Sequence, residues 1–218
     1  MGPVAIRRAR SEELPEAARL LAAGLGFTKT DAVPAWFMRT TDECGGLTLV
    51  ATSGTTVVGV SYAIAARAFL FSCGLAVAPE HRGRRIGLEL KLAQRREAIA
   101  LGYSTIRWTT DPVNGRALRV YLSGLGALVT DYRAGLHDGL RADAQDDVDI
   151  VWPLRDGPRP ERRDERGVEL PWSGAGQTDR DRVRTEMGAL LADGYVGCGV
   201  ELDREARRCR VTFARMPG

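Results

Sequence analysis

The sequence predicts an α/β protein of the α+β type: a mixed, mostly antiparallel central sheet flanked by helices, with a C-terminal helix-plus-hairpin extension. Two observations carry the main part. Strand and helix signals follow in the order βααβββαβαββ, and three consecutive strands before the first strand-to-helix crossover argue for a mixed sheet rather than a run of βαβ units. A third carries the extension: beyond a charged stretch, one helical stripe and two alternating segments close the chain.

Val4 to Ala9 reads as the first strand. Ser11 is placed to cap a helix through Leu25, with Glu12 and Glu13 in its first turn. Asp31 is placed to cap a second helix carrying Trp36, Phe37 and Met38. Leu47 to Thr52 is a strand, and Ser53-Gly54 its turn. From Thr55 the bulky Val58, Val60, Tyr62 and Ile64 alternate with the smaller Val57, Gly59, Ser61 and Ala63, giving one broad face and one shallow one. A strand from Phe69 to Val77 is stopped by Pro79, which has no N–H for a ladder. The next helix runs to Leu101, with Ile86, Leu90 and Ala93 on one stripe and Leu88, Leu92 and Ile99 beside it, a width suited to packing on a sheet. Ser104 to Thr110 is a strand, Asn114 to Ser123 a short helix ended by Leu125-Gly126, and Ala127 to Tyr132 a strand. A loop then reaches Asp146, and Val148 to Trp152 is the last strand of a main domain spanning residues 1–154.

Arg155 to Gly167 is rich in charge, proline and glycine and reads as an exposed linker, residues 155–167. In the extension, residues 168–218, Thr178 is placed to cap a helix with Val183, Met187, Leu190 and Leu191 on one face, ended by Gly194. Val196, Cys198, Val200 and Leu202 alternate, as do Cys209, Val211 and Phe213, with Asp203 to Ala206 as the turn between them. A lone helix and hairpin are marginal, so the extension should dock on the main domain. Its role is read as a packing appendage or the contact of a homodimer, or alternatively as a wall of the functional site.

The 218 residues suffice for a sizeable core. No apolar run approaches the ~20 residues that span a bilayer. The opening "MGPVAIRRAR" lacks a signal peptide's apolar segment, so no membrane and a cytoplasmic location are expected. A net charge of +3, with basic pairs scattered rather than interleaved with aromatics, is no nucleic-acid footprint. Lys29 and Lys91 are the only lysines. Cys44, Cys73, Cys198 and Cys209 form no CxxC pair, so reduced and mostly buried thiols and no metal are expected.

The stretch "VAPEHRGRRIG", Val77 to Gly87, is the most informative part of the chain. It joins a strand end to a helix start through Arg82, Gly83, Arg84, Arg85, Ile86 and Gly87. A helix start exposes unpaired N–H groups and partial positive charge, and glycines let the backbone approach a phosphate closely. The chemistry expected there is the binding of a pyrophosphate. This stretch resembles the coenzyme A loop of the GNAT superfamily of N-acyltransferases, Gln/Arg-x-x-Gly-x-Gly/Ala, with Arg82 at its first position and Gly87 at its last. Arg85 stands where the first glycine is usual. It must either take a glycine-compatible backbone or alter the loop, and its guanidinium could add a bidentate phosphate contact. The element order is also that of the superfamily, which makes the expected fold GNAT-like. "LELKLAQRREAIALGYSTIRWTTDP" followed by "LGALVTDY" is similar to a little-characterised bacterial branch with a C-terminal extension, a resemblance covering Leu70 to Arg215.

The resemblance implies an acyl-CoA-dependent N-acyltransferase, with acetyl-CoA or another acyl-CoA as donor and an amine of a small molecule or peptide as acceptor. It implies that main-chain groups of Leu75, Ala76 and Val77 bind the donor. The superfamily spacing Asn-x-x-Ala-x-x-x-Tyr matches Asn114, Ala117 and Tyr121, which makes Asn114 a donor-binding residue and Tyr121 the acid that protonates the departing thiolate. Gly126 falls one residue later than the usual tyrosine-to-glycine spacing, which would put Leu122 at the tyrosine position, so a packing role for Tyr121 stays open. The base is undetermined: Glu80 and His81 read as solvated loop residues, Asp111 as a turn former before Pro112, and His137 as a surface histidine. Cys73 could face the thioester, but no paired base is evident. Two other readings stay open: an acyltransferase using a carrier-protein- or tRNA-linked donor, and a non-catalytic acyl-CoA-binding protein.

Overall fold

A computed structural model describes residues 2–28, 31–136, 146–156, 158–172 and 175–217. Lys29 and His137 lie outside the described residues. The chain divides into two compact units, Met1–Ile106 and Arg107–Gly218.

The first unit contains strands β1 (Val4–Arg8), β2 (Leu47–Ser53), β3 (Thr56–Ala65) and β4 (Leu70–Val77), paired antiparallel in chain order. Its helices are α1 (Leu14–Leu25), α2 (Ala35–Glu43) and α3 (Ile86–Ala100). The uneven faces of β3 decide the packing. Tyr62 and Val60 join Leu14, Ala17 and Leu21 of α1 and Met38 of α2 in one buried cluster. The shallow side receives α3: a Cβ on Gly59 would lie 3.1 Å from Leu90 Cδ1 and 3.2 Å from Ile86 Cγ2, so glycine is what lets the helix seat this close. Two helix starts differ from expectation. A 3₁₀ turn, Ser11–Glu13, precedes α1, because Glu13 turns back to bind Arg7 through both carboxylate oxygens and to accept from Arg10 N–H. Pro34 rather than Asp31 precedes α2, its extended backbone (φ −67°, ψ 147°) setting the entry to the helix.

The second unit holds β6 (Leu128–Arg133), β7 (Asp147–Pro153), β8 (Glu161–Pro171), β9 (Tyr195–Asp203) and β10 (Arg208–Arg215) in the order β7-β6-β9-β10-β8. Strand β5 (Thr105–Thr110) carries the boundary between the units and neighbours β7. The hairpin β9–β10 joins this sheet through the pairing of Val129 with Gly197. Helix α5 (Gln177–Ala192) packs on β6, β8 and β9 and buries Val183 and Met187. Within the segment 155–167, Glu161 to Gly167 form the first half of β8, paired antiparallel with β10. Most of this half is exposed and polar, so it reads like a solvated segment while its backbone completes a ladder. The expected C-terminal helix and hairpin are present as α5 and β9–β10, and among the described residues β8 adds a further strand beside β10. Among the described residues, no helix is long and apolar enough to cross a membrane.

Candidate functional site

In the first unit the candidate site is the end of β4, the loop after it and the start of α3. The β3–β4 register slips between Tyr62 and Ala63: Tyr62 pairs with Gly74 and Ala63 with Ser72, leaving Cys73 as an extra residue on β4. A bulge of this kind bends the strand and re-aims the residues beyond it. There Leu75, Ala76 and Val77 pair with Ser61, Val60 and Gly59. In an antiparallel ladder only alternate residues turn their main-chain groups to one partner, so this segment also presents N–H and C=O groups away from β3. Ala78 N–H donates to Val58 O (2.9 Å), which ends the ladder, and a 3₁₀ turn Pro79–His81 comes next.

The loop is held in shape by its own residues. Arg82 Nε donates to Val77 O (3.1 Å) and Arg82 N–H to Pro79 O (3.2 Å), which ties the loop back to the strand end. Gly83 has φ +75°, and Arg85 takes φ +63° and ψ 7°, the left-handed conformation that a glycine would supply. An L-residue there carries about 1–2 kcal/mol of strain. Arg85 precedes the first turn of α3, and no side chain caps that turn. The first N–H groups of α3 thus take no capping bond from the side chain that precedes the helix. Gly87 sits in that turn, and a Cβ there would meet Leu75 Cδ2 at 3.4 Å and Val77 Cγ2 at 3.9 Å. The loop side chains of Arg82, Arg84 and Arg85 are exposed, and Ile86 is buried beneath them. A cavity of about 150 Å³ beside the loop is lined by Val4, Ile6, Arg84, Ile86 and Glu89.

His81 differs from its reading as a solvated loop residue, whereas Cys73 fits its reading as a thiol without a paired base. The His81 side chain is only 13% exposed, and its Nδ1 is buried with no hydrogen-bond partner among the described residues, 3.7 Å from Glu80 Oε1. Cys73 donates weakly to Phe71 O and packs beside the cluster under α1; burial pushes its thiol up to about 11, so it is protonated and inert at neutral pH. On the other side of the sheet Lys91 of α3 is buried. Its Nζ donates to Ser72 Oγ (2.8 Å) and Gln94 Oε1 (3.3 Å), and Gln94 Nε2 donates to Ser61 Oγ (2.9 Å). Burial pulls the Lys91 ammonium down to about 7.

The second unit holds the other candidates. Asp111 Oδ1 accepts from Val113 N–H (3.0 Å), and Asn114 N–H donates to Asp111 O (3.1 Å). Asn114 Oδ1 caps the short helix α4 (Gly115–Leu118) by accepting from Ala117 N–H (3.1 Å). Asp111 is also bound by Arg180 of α5 through both oxygens (3.0 and 3.1 Å). Directly after α4, Arg119–Gly124 is a π-helical segment. A π turn is how a helix takes up one residue more than α geometry allows, so it accounts for the late position of Gly126 without moving Tyr121 off the helix. The Tyr121 ring meets Trp108 edge-on (5.0 Å between centroids, 78°), and Trp108 meets Trp152 (6.3 Å, 87°). Burial in this aromatic setting raises the Tyr121 phenol above its ordinary value. No group among the described residues takes up its hydroxyl, so a neutral O–H remains to be donated. Neither the aromatic wall nor the Arg180 clamp on Asp111 was legible in the spacing of the sequence.

The model of the acetyltransferase (GNAT) family matches residues 12–127. No curated protein matches the sequence. Among solved structures, the ribosomal-protein-S18-alanine N-acetyltransferase from Escherichia coli is similar with a TM-score of 0.60 at 15% identity, over 71% of this chain and 96% of that one. The IAA acetyltransferase from Bacillus cereus is similar with a TM-score of 0.57 at 21% identity, over 69% and 99%. A GNAT family acetyltransferase from Elizabethkingia anophelis with acetyl-CoA bound gives 0.57 at 15% identity, over 69% and 97%. At these identities the likeness is one of fold.

Proposed function

Because the chain belongs to the acetyltransferase (GNAT) family and is a transferase, we propose that it is an acyl-CoA-dependent N-acyltransferase, with acetyl-CoA as donor and an amine of a small molecule or peptide as acceptor. The observation that carries the proposal is the uncapped start of α3 behind a loop in which Arg85 adopts the glycine conformation. That shape offers successive N–H groups and exposed guanidinium groups to a pyrophosphate, the anion that an acyl-CoA carries.

In this reading residues 1–154 serve donor binding and chemistry. Arg82, Gly83, Arg84, Arg85, Ile86 and Gly87 hold the pyrophosphate, and main-chain groups of Leu75, Ala76 and Val77 together with Asn114 hold the arm that bears the thioester. The acceptor amine, freed of a proton by solvent, attacks the thioester carbonyl. A C–N bond forms, the C–S bond breaks, and the thiolate takes the Tyr121 phenolic proton, while the proton that the amine nitrogen loses passes to solvent, from which the phenol is restored. Burial keeps the phenol protonated at neutral pH, so its O–H is present when the C–S bond breaks. Asp111 is not the base in this scheme, since both of its oxygens are engaged by Arg180.

Calorimetric titration with acetyl-CoA and with free coenzyme A, repeated on Gly87→Trp, tests the proposal. Micromolar binding that is lost in the variant, with its melting temperature retained, supports the loop as the donor site. Absence of binding to either ligand in the wild type sinks the free acyl-CoA reading and favours a carrier-linked donor.

A further inference from the structure

The second unit contains a cavity of about 290 Å³ lined by Asp111, Val113, Asn114, Arg116, Trp172, Ala175 and Arg180, close to the ~300 Å³ at which small-ligand pockets begin. Its polar walls are Asp111, Asn114, Arg116 and Arg180, and the indole of Trp172 forms a flat side.

The hydrogen-bonding capacity of these walls is unequal. Asp111 is fully engaged, by both donors of Arg180 and by Val113 N–H. Asn114 has spent its oxygen on Ala117 N–H, which leaves its NH₂ as a donor. Arg116 is exposed, and no carboxylate among the described residues pairs with it. Its guanidinium carbon lies 5.7 Å from the centroid of the Trp172 ring, a cation–π contact that leaves the planar N–H fork free to donate. Two guanidinium groups against one carboxylate give the walls a net charge of +1, and the groups left unsatisfied are donors. Gly115 fixes this arrangement: a Cβ there would collide with the buried Cys209 Sγ, and Trp172 Cε3 lies only 3.8 Å away. The backbone next to Arg116 is thereby seated against the indole.

We propose that this cavity binds a small organic anion, a carboxylate carried on a planar ring, with Arg116 receiving the carboxylate and Trp172 the ring. A fork-shaped cation matches a carboxylate in two parallel hydrogen bonds, and an indole face accepts a flat apolar body. The clamp of Arg180 on Asp111 keeps the one carboxylate among the described lining residues from competing for Arg116. The inference rests on residues of the second unit, and Arg116 and Trp172, on which it turns, have no part in the acyl-transfer reading, although Asn114 is shared with it.

The test is calorimetric titration of the full chain with benzoate and with its neutral analogue benzamide. Benzoate is expected to bind at least about tenfold more tightly than benzamide, and Arg116→Gln to weaken benzoate about tenfold, a charge-assisted hydrogen bond's worth. Arg116→Lys is expected to recover part of the loss, since it keeps the charge without the fork. Equal binding of benzoate and benzamide, unchanged benzoate affinity in Arg116→Gln with its melting temperature intact, or no binding by the wild type overturns the proposal. A second arm identifies the source of the anion. If Arg116→Gln raises KM for phenylalanine as acceptor and not for phenethylamine, the carboxylate belongs to the acceptor; if it changes neither while the wild type binds benzoate, the ligand is a separate organic acid. The titration needs no turnover, so its outcome holds even where an acyl-transfer assay fails.

Discussion

The loop at the start of α3 and the helical segment after Asn114 depart from the family's spacing in opposite ways. The loop keeps its length and changes a residue: Arg85 replaces a glycine and adopts the glycine's backbone at φ +63°. The segment after Asn114 keeps its tyrosine and adds a residue, which the π-helical stretch Arg119–Gly124 takes up. A substitution in a turn is thus absorbed by one pair of dihedral angles, at a local strain. An insertion in a helix has to be absorbed by the hydrogen-bond ladder, which turns every side chain beyond it. The first changes one residue's backbone, whereas the second decides where the side chain of the proposed acid, Tyr121, points.

The largest expected effect therefore falls on Tyr121. Tyr121→Phe keeps the ring against Trp108 and removes only the hydroxyl. As the proton donor to the thiolate, its loss should lower kcat by roughly 10²–10⁴ while the dissociation constant for acetyl-CoA stays within about twofold. A matched loss of melting temperature and affinity with little change in kcat would make Tyr121 a packing residue, and would make the π segment a device for packing too.

What each element buries explains why some of this was visible in the sequence and some was not. β3 and α3 were legible because their apolar residues keep the period of a strand and of a helix, and because Gly59 and Ser61 mark the face on which α3 sits. The first half of β8 was not, because its described side chains are exposed and polar and its place is fixed by backbone pairing with β10. The loop proposed to bind the anion was picked out by its glycines and arginines; the tie of Arg82 to Val77 O, and the burial of His81, depend on a fold-back that composition does not encode. Tyr121 was legible by spacing, and the late Gly126 was a true sign of the π segment. Its aromatic surroundings are assembled from Trp108 of β5 and Trp152 of β7, 44 positions apart, and no local pattern joins them.

Burial also separates the two regions by its sign. It raises the Tyr121 phenol and lowers the Lys91 ammonium, in each case by disfavouring the charged form. For Lys91 the folded chain releases its proton near pH 7, whereas the unfolded chain holds it into the ordinary lysine range. Between those limits the unfolded chain binds more protons, so stability rises with pH from about 7 to about 10, by up to roughly 1 kcal/mol per pH unit. Urea unfolding of wild type and Lys91→Met across that window isolates the contribution: the rise should be present in the first and absent in the second. Parallel profiles would mean that Ser72 and Gln94 stabilise the ammonium well enough to cancel the desolvation.

The smallest effect is the most discriminating for the loop, because it sets backbone against side chain at a single residue. Arg85→Gly removes the strain of a left-handed arginine, and should stabilise the protein by about 0.5–1 kcal/mol after allowing for the extra freedom of glycine when unfolded. The same change removes an exposed guanidinium at the start of α3, so affinity for acetyl-CoA should fall by about threefold to tenfold if that group reaches a phosphate oxygen. Melting temperature and affinity would then move in opposite directions, which neither a purely structural loop nor a purely electrostatic one produces. If both rise together, the N–H groups at the start of α3 do the binding and the arginine only strains them; if the affinity falls and the stability does not change, the left-handed turn is held without strain and the guanidinium alone accounts for the departure from glycine.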